Sequence, residues 1–225
     1  LVETASLSLP CNYPKRLVTQ GANGICFGKY GIGFPLTSIP LYLLGKLISG
    51  PAPANPDLLS LPRLFVSTLN QFVTAATCSV LYILGLRITG DKKNALELSI
   101  VFGLFTIAWP YASTSFSQPL IGFLLLTSIV LINTPNHSRL KIFFAGVYLG
   151  IAFLVRLDTL PLIIMVCVWA AYKIWIFQKA RTASTKIDKE FLASMTMIFA
   201  PIFTSFAIFC VIQLSHYGSL FQTGY

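Results

Sequence analysis

An all-α integral membrane protein, with about six transmembrane helices and one short juxtamembrane helix at the interface, is the fold class this sequence predicts. Three observations carry that expectation. Of the 225 residues, 55% are hydrophobic and only 10% are charged, against about 25% charged in soluble domains, and mean hydropathy is +0.75. The apolar residues are gathered in runs that reach or approach the roughly 20 residues needed to cross a bilayer core. Lys and Arg cluster in the turns between those runs, as they do beside membrane spans.

Taken in order, residues 1–27 read as an extramembrane loop, polar and rich in turn formers such as Pro10, Pro14, Gly21 and Gly24. The chain begins at Leu1 and ends at Tyr225, and the expectation is a piece of a longer protein. No secretory signal pattern opens it, since the first ten residues carry Glu3 and no base. From Phe34 to Ile48 the apolar run is 15 residues long and holds Pro35 and Pro40. Each proline removes a backbone donor that lipid cannot replace. A short helix of about 34–48 at the membrane surface is expected there, not a span. A loop rich in proline (Pro51, Pro53, Pro56, Pro62) follows.

Residues 64–214 are expected to form the transmembrane bundle. Its runs are 64–88, 96–109, 120–132, 142–155, 160–177 and 191–214. Asn70 and Gln71 lie inside the first, which gives that helix a face toward other helices rather than lipid. Residues 109–119 read as a polar, aromatic loop at an interface, and 215–225 as the start of a further extracytoplasmic loop. The basic residues test sidedness. If the 34–48 helix does not cross, ten of the sixteen share one side: Arg87, Lys92, Lys93, Arg139, Lys141, Lys173, Lys179, Arg181, Lys186 and Lys189. Lys15, Arg16, Lys29, Lys46, Arg63 and Arg156 share the other. The richer side is cytoplasmic by the positive-inside rule, so a multi-pass protein of the cell membrane with both described ends outside is expected. The same asymmetry accounts for the net charge of +9 without a nucleic-acid partner.

The polar loops then converge on one extracytoplasmic face, where the chemistry-bearing residues are sought. Lys29, with Tyr30 at the mouth of the surface helix, is a candidate for binding a phosphate; the plainer role is an interfacial lysine whose stem lies along lipid. Arg156 and Asp158 interrupt two apolar runs, which points to function or to a local ion pair. Tyr111 and Trp109 suit an aromatic belt. Gln118 can hydrogen-bond a sugar or simply face water. His216 titrates near neutral pH but stands alone. Cys11 and Cys26 share one loop and can form a disulfide if that loop faces an oxidising compartment, whereas Cys78, Cys167 and Cys210 sit in apolar runs as packing residues. Metal-ligand spacing is absent. The glycines at 28, 31 and 33 lack the preceding strand of a dinucleotide fingerprint, and the sequon at Asn136 falls on the expected cytoplasmic side.

Several stretches resemble the polytopic C-type glycosyltransferases, relatives of the mannosyl- and aminoarabinosyl-transferases that use polyprenyl-phosphate sugars. They are residues 1–7, the run from Lys29 to Leu36, that from Pro40 to Gly45, that from Trp109 to Ala112, that from Phe116 to Pro119, that from Gly146 to Arg156, and residues 217–225. The resemblance implies a large first extracytoplasmic loop followed by a surface helix, and transfer of a sugar from a lipid-linked donor on the outer face. Lys29 and Arg156 would bind the donor phosphate. Tyr30, Tyr111, Gln118 and Asp158 would line the substrate pocket. The family's acidic residues near the first span would lie upstream of Leu1, so no catalytic residue is assigned within this stretch. The position of Gln118 is commonly acidic in similar proteins, and an amide neither takes up a proton nor replaces a carboxylate on a metal. No cofactor is assigned either; a divalent metal in the full-length protein is left open, and so is the acceptor. The rival classes are a transporter, for which Asn70 and Gln71 argue, and a non-catalytic membrane protein, for which Gln118 argues.

Overall fold

The computed structural model describes residues 8–9, 11–12, 18–21, 24–28, 31–50, 60–134, 138–182 and 189–219. Helices dominate them. In chain order they are α1 (Gly33–Ser49), α2 (Leu61–Ser67), α3 (Leu69–Thr89), α4 (Lys92–Phe105), α5 (Ala108–Ala112), α6 (Gln118–Ile132), α7 (Arg139–Val155), α8 (Leu160–Thr182) and α9 (Lys189–Tyr217). Three stretches are long and apolar enough to cross a membrane: Leu61–Thr89, Leu157–Lys179 and Lys189–Tyr217. The α6 helix is apolar but has only 15 residues. Six spans are thus an expectation that length and composition support for three helices.

The expected surface segment is a helix of 17 residues with Pro40 inside it, below the roughly 20 residues of a span. Gly45 sits where α1 meets α2, because a Cβ there would stand 2.6 Å from Pro62 Cα. The α2 helix opens with proline in its first turn, a place where the missing N–H costs nothing. A one-residue break at Thr68 separates it from α3. The charged turn expected at 89–94 is a C-cap followed by an N-cap. Gly90, at φ 70°, donates to the Leu86 carbonyl at 3.0 Å, and Asp91 Oδ1 accepts from Lys93 N at 3.0 Å. The run expected to reach Trp109 stops at Phe105. Thr106 leaves the helix and accepts from Ala108 N at 3.2 Å. That cap starts α5, so Pro110 lies within a short helix instead of ending a long one.

The α7 helix stands at the centre. Its glycines at 146 and 150 face α9. A Cβ on Gly146 would collide with the Ile198 carbonyl, and one on Gly150 with the Ser205 hydroxyl and, at 3.0 Å, the Pro201 carbonyl. Small residues four apart let two backbones close on each other, the device that drives helix association where lipid supplies no hydrophobic force. On another side, Ser128 of α6 donates to the Ala145 carbonyl at 3.1 Å. Ile142, Ala145, Leu149 and Phe153 of α7 form the main core with Ile132, Ile163, Ala170, Ile174 and Ile198. A second core joins Leu69 and Val73 of α3, Leu120, Ile121 and Leu124 of α6, and Ala152 and Val155 of α7.

These contacts fix the direction of each helix. The starts of α3 and α6 meet the end of α7 at Val155. At the opposite end Arg87, in the last turn of α3, donates to the Val130 carbonyl at 2.9 Å and to Thr134 Oγ1 at 3.3 Å, capping α6. The α8 helix leaves the Val155 end, and α9 returns to it, with Phe153 and Phe209 rings 5.5 Å apart.

The helical class holds, and to it the first loop adds a small three-stranded antiparallel sheet. Its order is β1 (Ser8–Leu9), β3 (Cys26–Gly28), β2 (Val18–Gln20), with Leu9 and Gln20 both opposite Cys26. Strands of two or three residues leave no period to read in the sequence. Cys11 and Cys26 form a disulfide within this sheet region. Other differences are boundaries: α7 begins at Arg139, and α9 runs on to Tyr217. The sequon at Asn136 lies outside the described residues.

We expect Gly146→Leu to destabilise the bundle by about 1–3 kcal/mol, since the added side chain has nowhere to go. Gly122→Ala, at a helical position with open space around it, should leave stability unchanged or raise it slightly. Thermal unfolding of the two variants in one detergent compares them. Equal melting temperatures would remove the close α7–α9 contact from the account.

Candidate functional site

The Val155 end gathers the starts of α1, α3 and α6 and the end of α7. Arg156 takes an extended backbone (φ −155°, ψ 132°) and so ends the helix, while its N–H still reaches the Ala152 carbonyl at 3.2 Å. A 3-10 turn over Leu157–Thr159 follows. It is held by the Thr159 hydroxyl, which donates to the carbonyls of Arg156 at 2.7 Å and Ala152 at 3.3 Å. The turn brings Asp158 beneath the Arg156 guanidinium, whose Nε donates to Oδ1 at 3.0 Å while Nη2 donates to Oδ2. This is the local ion pair that two ionisable residues between apolar runs suggested. The Asp158 side chain is 61% exposed and that of Arg156 23%, so the pair contributes little to stability. Its effect is orientation. Two of the five guanidinium N–H donors are engaged, and the plane of the group is fixed at the mouth of the bundle.

The start of α1 closes on the same place. A Cβ on Gly33 would stand 2.6 Å from Val155 N, and one on Gly31 would collide with the Leu154 carbonyl and approach the Val155 carbonyl to 2.5 Å. Only glycine permits this approach. Lys29 and Tyr30 lie outside the described residues. What is described is that Gly31, which follows Tyr30 in sequence, touches Val155, which precedes Arg156. The segment leading into α1 and the segment leading out of α7 meet, although more than a hundred residues separate them.

Across the mouth, Asn70 carries the loop between α5 and α6. It is 1% exposed, and its amide donates to the carbonyls of Thr114 and, at 2.7 Å, Phe116. Tyr111 packs its ring on Phe116 at 5.6 Å. Gln118 begins α6 and is exposed, as the sequence suggested for a residue facing water. Tyr111 and Gln118 therefore border the same loop, and Gln118 is adjacent in sequence to the helix start that packs on Val155. No hydrogen bond joins Gln118 to Arg156 among the described residues. The sequence singled out Asn70 as a polar residue inside a span; its role as the anchor of a distant loop carried no sequence signal. Behind it, a cleft of about 570 Å³ opens between α3, α4 and α5, bordered by Gln71, Thr74, Ser99, Trp109 and Ser113. Asn70 Oδ1 and Thr74 Oγ1 are buried without a hydrogen-bond partner among the described residues.

Two walls rise past this level. From Leu69, α2 reaches back eight residues to Leu61, and from Phe209, α9 runs eight residues to Tyr217, about 12 Å in each case. The small sheet sits on the second wall. Phe27 stacks on His216 at 3.9 Å between ring centroids, with Tyr217 edge-on to it at 6.0 Å. Gly21 lies so close to the His216 carbonyl that a Cβ would collide. His216 is thus a packing partner of the sheet. As for a metal, the described residues contain no cluster of three or more His, Cys, Asp or Glu side chains, and Asp158, already paired, is the carboxylate they bring to this end. The donor set does not fit one.

Asn70→Ala should cost about 1–3 kcal/mol, because two loop carbonyls lose a buried donor. Thr74→Val, which removes a hydroxyl that has no partner, should cost little or nothing. Denaturant unfolding compares the pair, and an equal loss from both would mean that Asn70 does not hold the loop. Comparison of the chain with family models, with curated proteins and with solved structures gives no match.

Proposed function

We propose that this chain is the membrane part of a glycosyltransferase that moves a sugar from a polyprenyl-phosphate-linked donor to an acceptor at the extracytoplasmic face. The observation that carries the reading is the contact of Gly31 and Gly33 with Leu154 and Val155. It joins two of the glycosyltransferase-like segments, 29–36 and 146–156, the second of which ends at Arg156. In this reading the two cations receive the donor phosphate. Charge builds on its bridging oxygen as the bond to the sugar breaks, and preset donors stabilise that charge without reorganising. Asp158 holds the guanidinium in place and sets its direction. In this reading Tyr111 and Gln118, on either side of the α5–α6 loop, would line the substrate pocket, and Tyr30 is assigned to it from the sequence alone. An acceptor hydroxyl needs a base; His216 is stacked under Phe27 and Asp158 is engaged by Arg156, so no described residue is assigned that role.

The membrane arrangement belongs to the same proposal. The helices α3, α4, α6, α7, α8 and α9 cross in alternation, and α1 stays at the surface. Two independent features support its orientation. The Cys11–Cys26 disulfide stands at the Val155 end and calls for an oxidising compartment. The opposite end carries Arg87, Lys92, Lys93, Arg139 and Lys141, as a cytoplasmic end does. The cleft beside Thr74, with two unpartnered polar atoms near it, favours a second reading as a lipid or solute carrier. Vesicle uptake without sugar transfer would favour it.

Two outcomes are expected. Lys29→Ala and Arg156→Ala should each lower transfer from a synthetic polyprenyl-phosphate donor by roughly 10- to 150-fold, the worth of one hydrogen bond to a charged group. Arg156→Lys should recover part of that loss, and Lys15→Ala should change little. Wild-type rates for both alanine variants at sub-saturating donor would leave the two cations as interfacial anchors. For orientation, a cysteine placed at Arg139, with Cys78, Cys167 and Cys210 replaced and the disulfide kept, should resist an impermeant thiol reagent in intact cells. Labelling from outside would overturn the six-span arrangement.

A further inference from the structure

We propose that the outer face of the α1–α2 pair is a binding site for an anionic phospholipid, in which Lys46 and Arg63 hold the phosphate headgroup and a leucine stripe covers the acyl chains. The stripe is Leu36, Leu43, Leu44, Leu47 and Ile48, at spacings that fall on one face of a helix. All five are exposed, Leu47 to 80% and Ile48 to 62%. On α2, Leu61 and Leu64 are exposed as well. Gly45 faces the other way, into Pro62 at 2.6 Å. Lys46 and Arg63, both exposed, are the next residues along each helix from that crossing.

Neither cation has an ion pair among the described residues, and α1, α2 and α3 contain no Asp or Glu. Lys46 lies in the last turn of α1, where a cation offsets the helix dipole. Arg63 has no such reason. It is the third residue of α2, where the dipole disfavours a positive charge. An anion outside the helix would offset that cost. A soluble anion accounts for the two cations alone and does not explain why they stand beside the exposed leucines. A neutral lipid covers the leucines and leaves the cations unmatched. An anionic phospholipid meets both, with the guanidinium taking the phosphate bidentately and the ammonium acting as a point charge. The inference does not depend on sugar transfer.

The test uses the full chain in nanodiscs of equal phosphatidylglycerol and phosphatidylcholine, followed by native mass spectrometry of the lipids that stay bound. Wild type should retain phosphatidylglycerol over phosphatidylcholine by about tenfold or more, the factor that one charge-assisted hydrogen bond supplies. The enrichment should vanish in Lys46→Gln/Arg63→Gln and persist in Lys93→Gln, an exposed lysine in α4. On wild type alone, raising ionic strength should lower it, because exposed charges are screened. Circular dichroism checks that the double variant keeps its helices. Equal retention of both lipids by wild type, or unchanged enrichment in the double variant, overturns the proposal. So does complete displacement by millimolar glycerophosphate, which would make the site one for free phosphate.

Discussion

The close approach of α7 to α9 is the constraint on which the other contacts depend. Inside a bilayer the apolar side chains gain little by leaving lipid for each other, so helices stay together through contact area and hydrogen bonds. Glycine at 146 and 150 brings the two backbones together and fixes how α7 is turned. That rotation decides which residues face α6, where the Ala145 carbonyl meets Ser128. It also decides what stands at the end of the helix. Val155 receives α1, α3 and α6, and Arg156 follows at once. A shift in the glycine seam would be felt at the guanidinium about two turns away.

Much of this was legible because apolar runs and proline are blunt signals. The helix at 34–48 was read from an apolar run of 15 residues, and α1 has 17 residues with Pro40 inside. The turn at Gly90 and Asp91 followed from its composition. The long helices of α8 and α9 followed from unbroken hydrophobicity. What the sequence hid was partnership. Nothing local says that Asn70 will hold the carbonyls of Thr114 and Phe116, since that depends on two segments meeting in space. The break at Thr106 was missed because Pro110 is the louder signal, yet the chain leaves the helix at Thr106, whose hydroxyl then caps the start of α5. The sheet was missed because its strands are shorter than any readable alternation. The pairing of Arg156 with Asp158 was foreseen as the plain alternative. It orients the guanidinium and also puts a carboxylate in competition with any anion that arrives.

The first loop illustrates how covalent and packing constraints combine. Cys26 joins Cys11 while Phe27, its neighbour on the opposite face of β3, stacks on His216. One residue fastens the sheet to itself and the next fastens it to α9. Alternation along a strand makes this division of labour possible with only three residues. The loop is therefore seated on the bundle's rim, beside the position where α1 departs.

The helices of this bundle differ in length, and a lipid bilayer is uniform. The stretch Leu61–Thr89 and the helix Lys189–Tyr217 have 29 residues each, roughly 43 Å at 1.5 Å per residue. The helices α4, α6 and α7 have 14, 15 and 17, roughly 21–26 Å by the same rise. A hydrocarbon slab of about 30 Å fits neither group. In the six-span arrangement proposed above, the long helices would tilt or protrude, and lipid beside the short ones would thin. Thinning would fall where Gln118 and Arg156 close the short helices. Water and headgroups would then reach these residues at a depth that belongs elsewhere to the acyl chains. In that arrangement bilayer thickness would be a variable of the site: a thicker membrane would bury the guanidinium, and a thinner one would bare it.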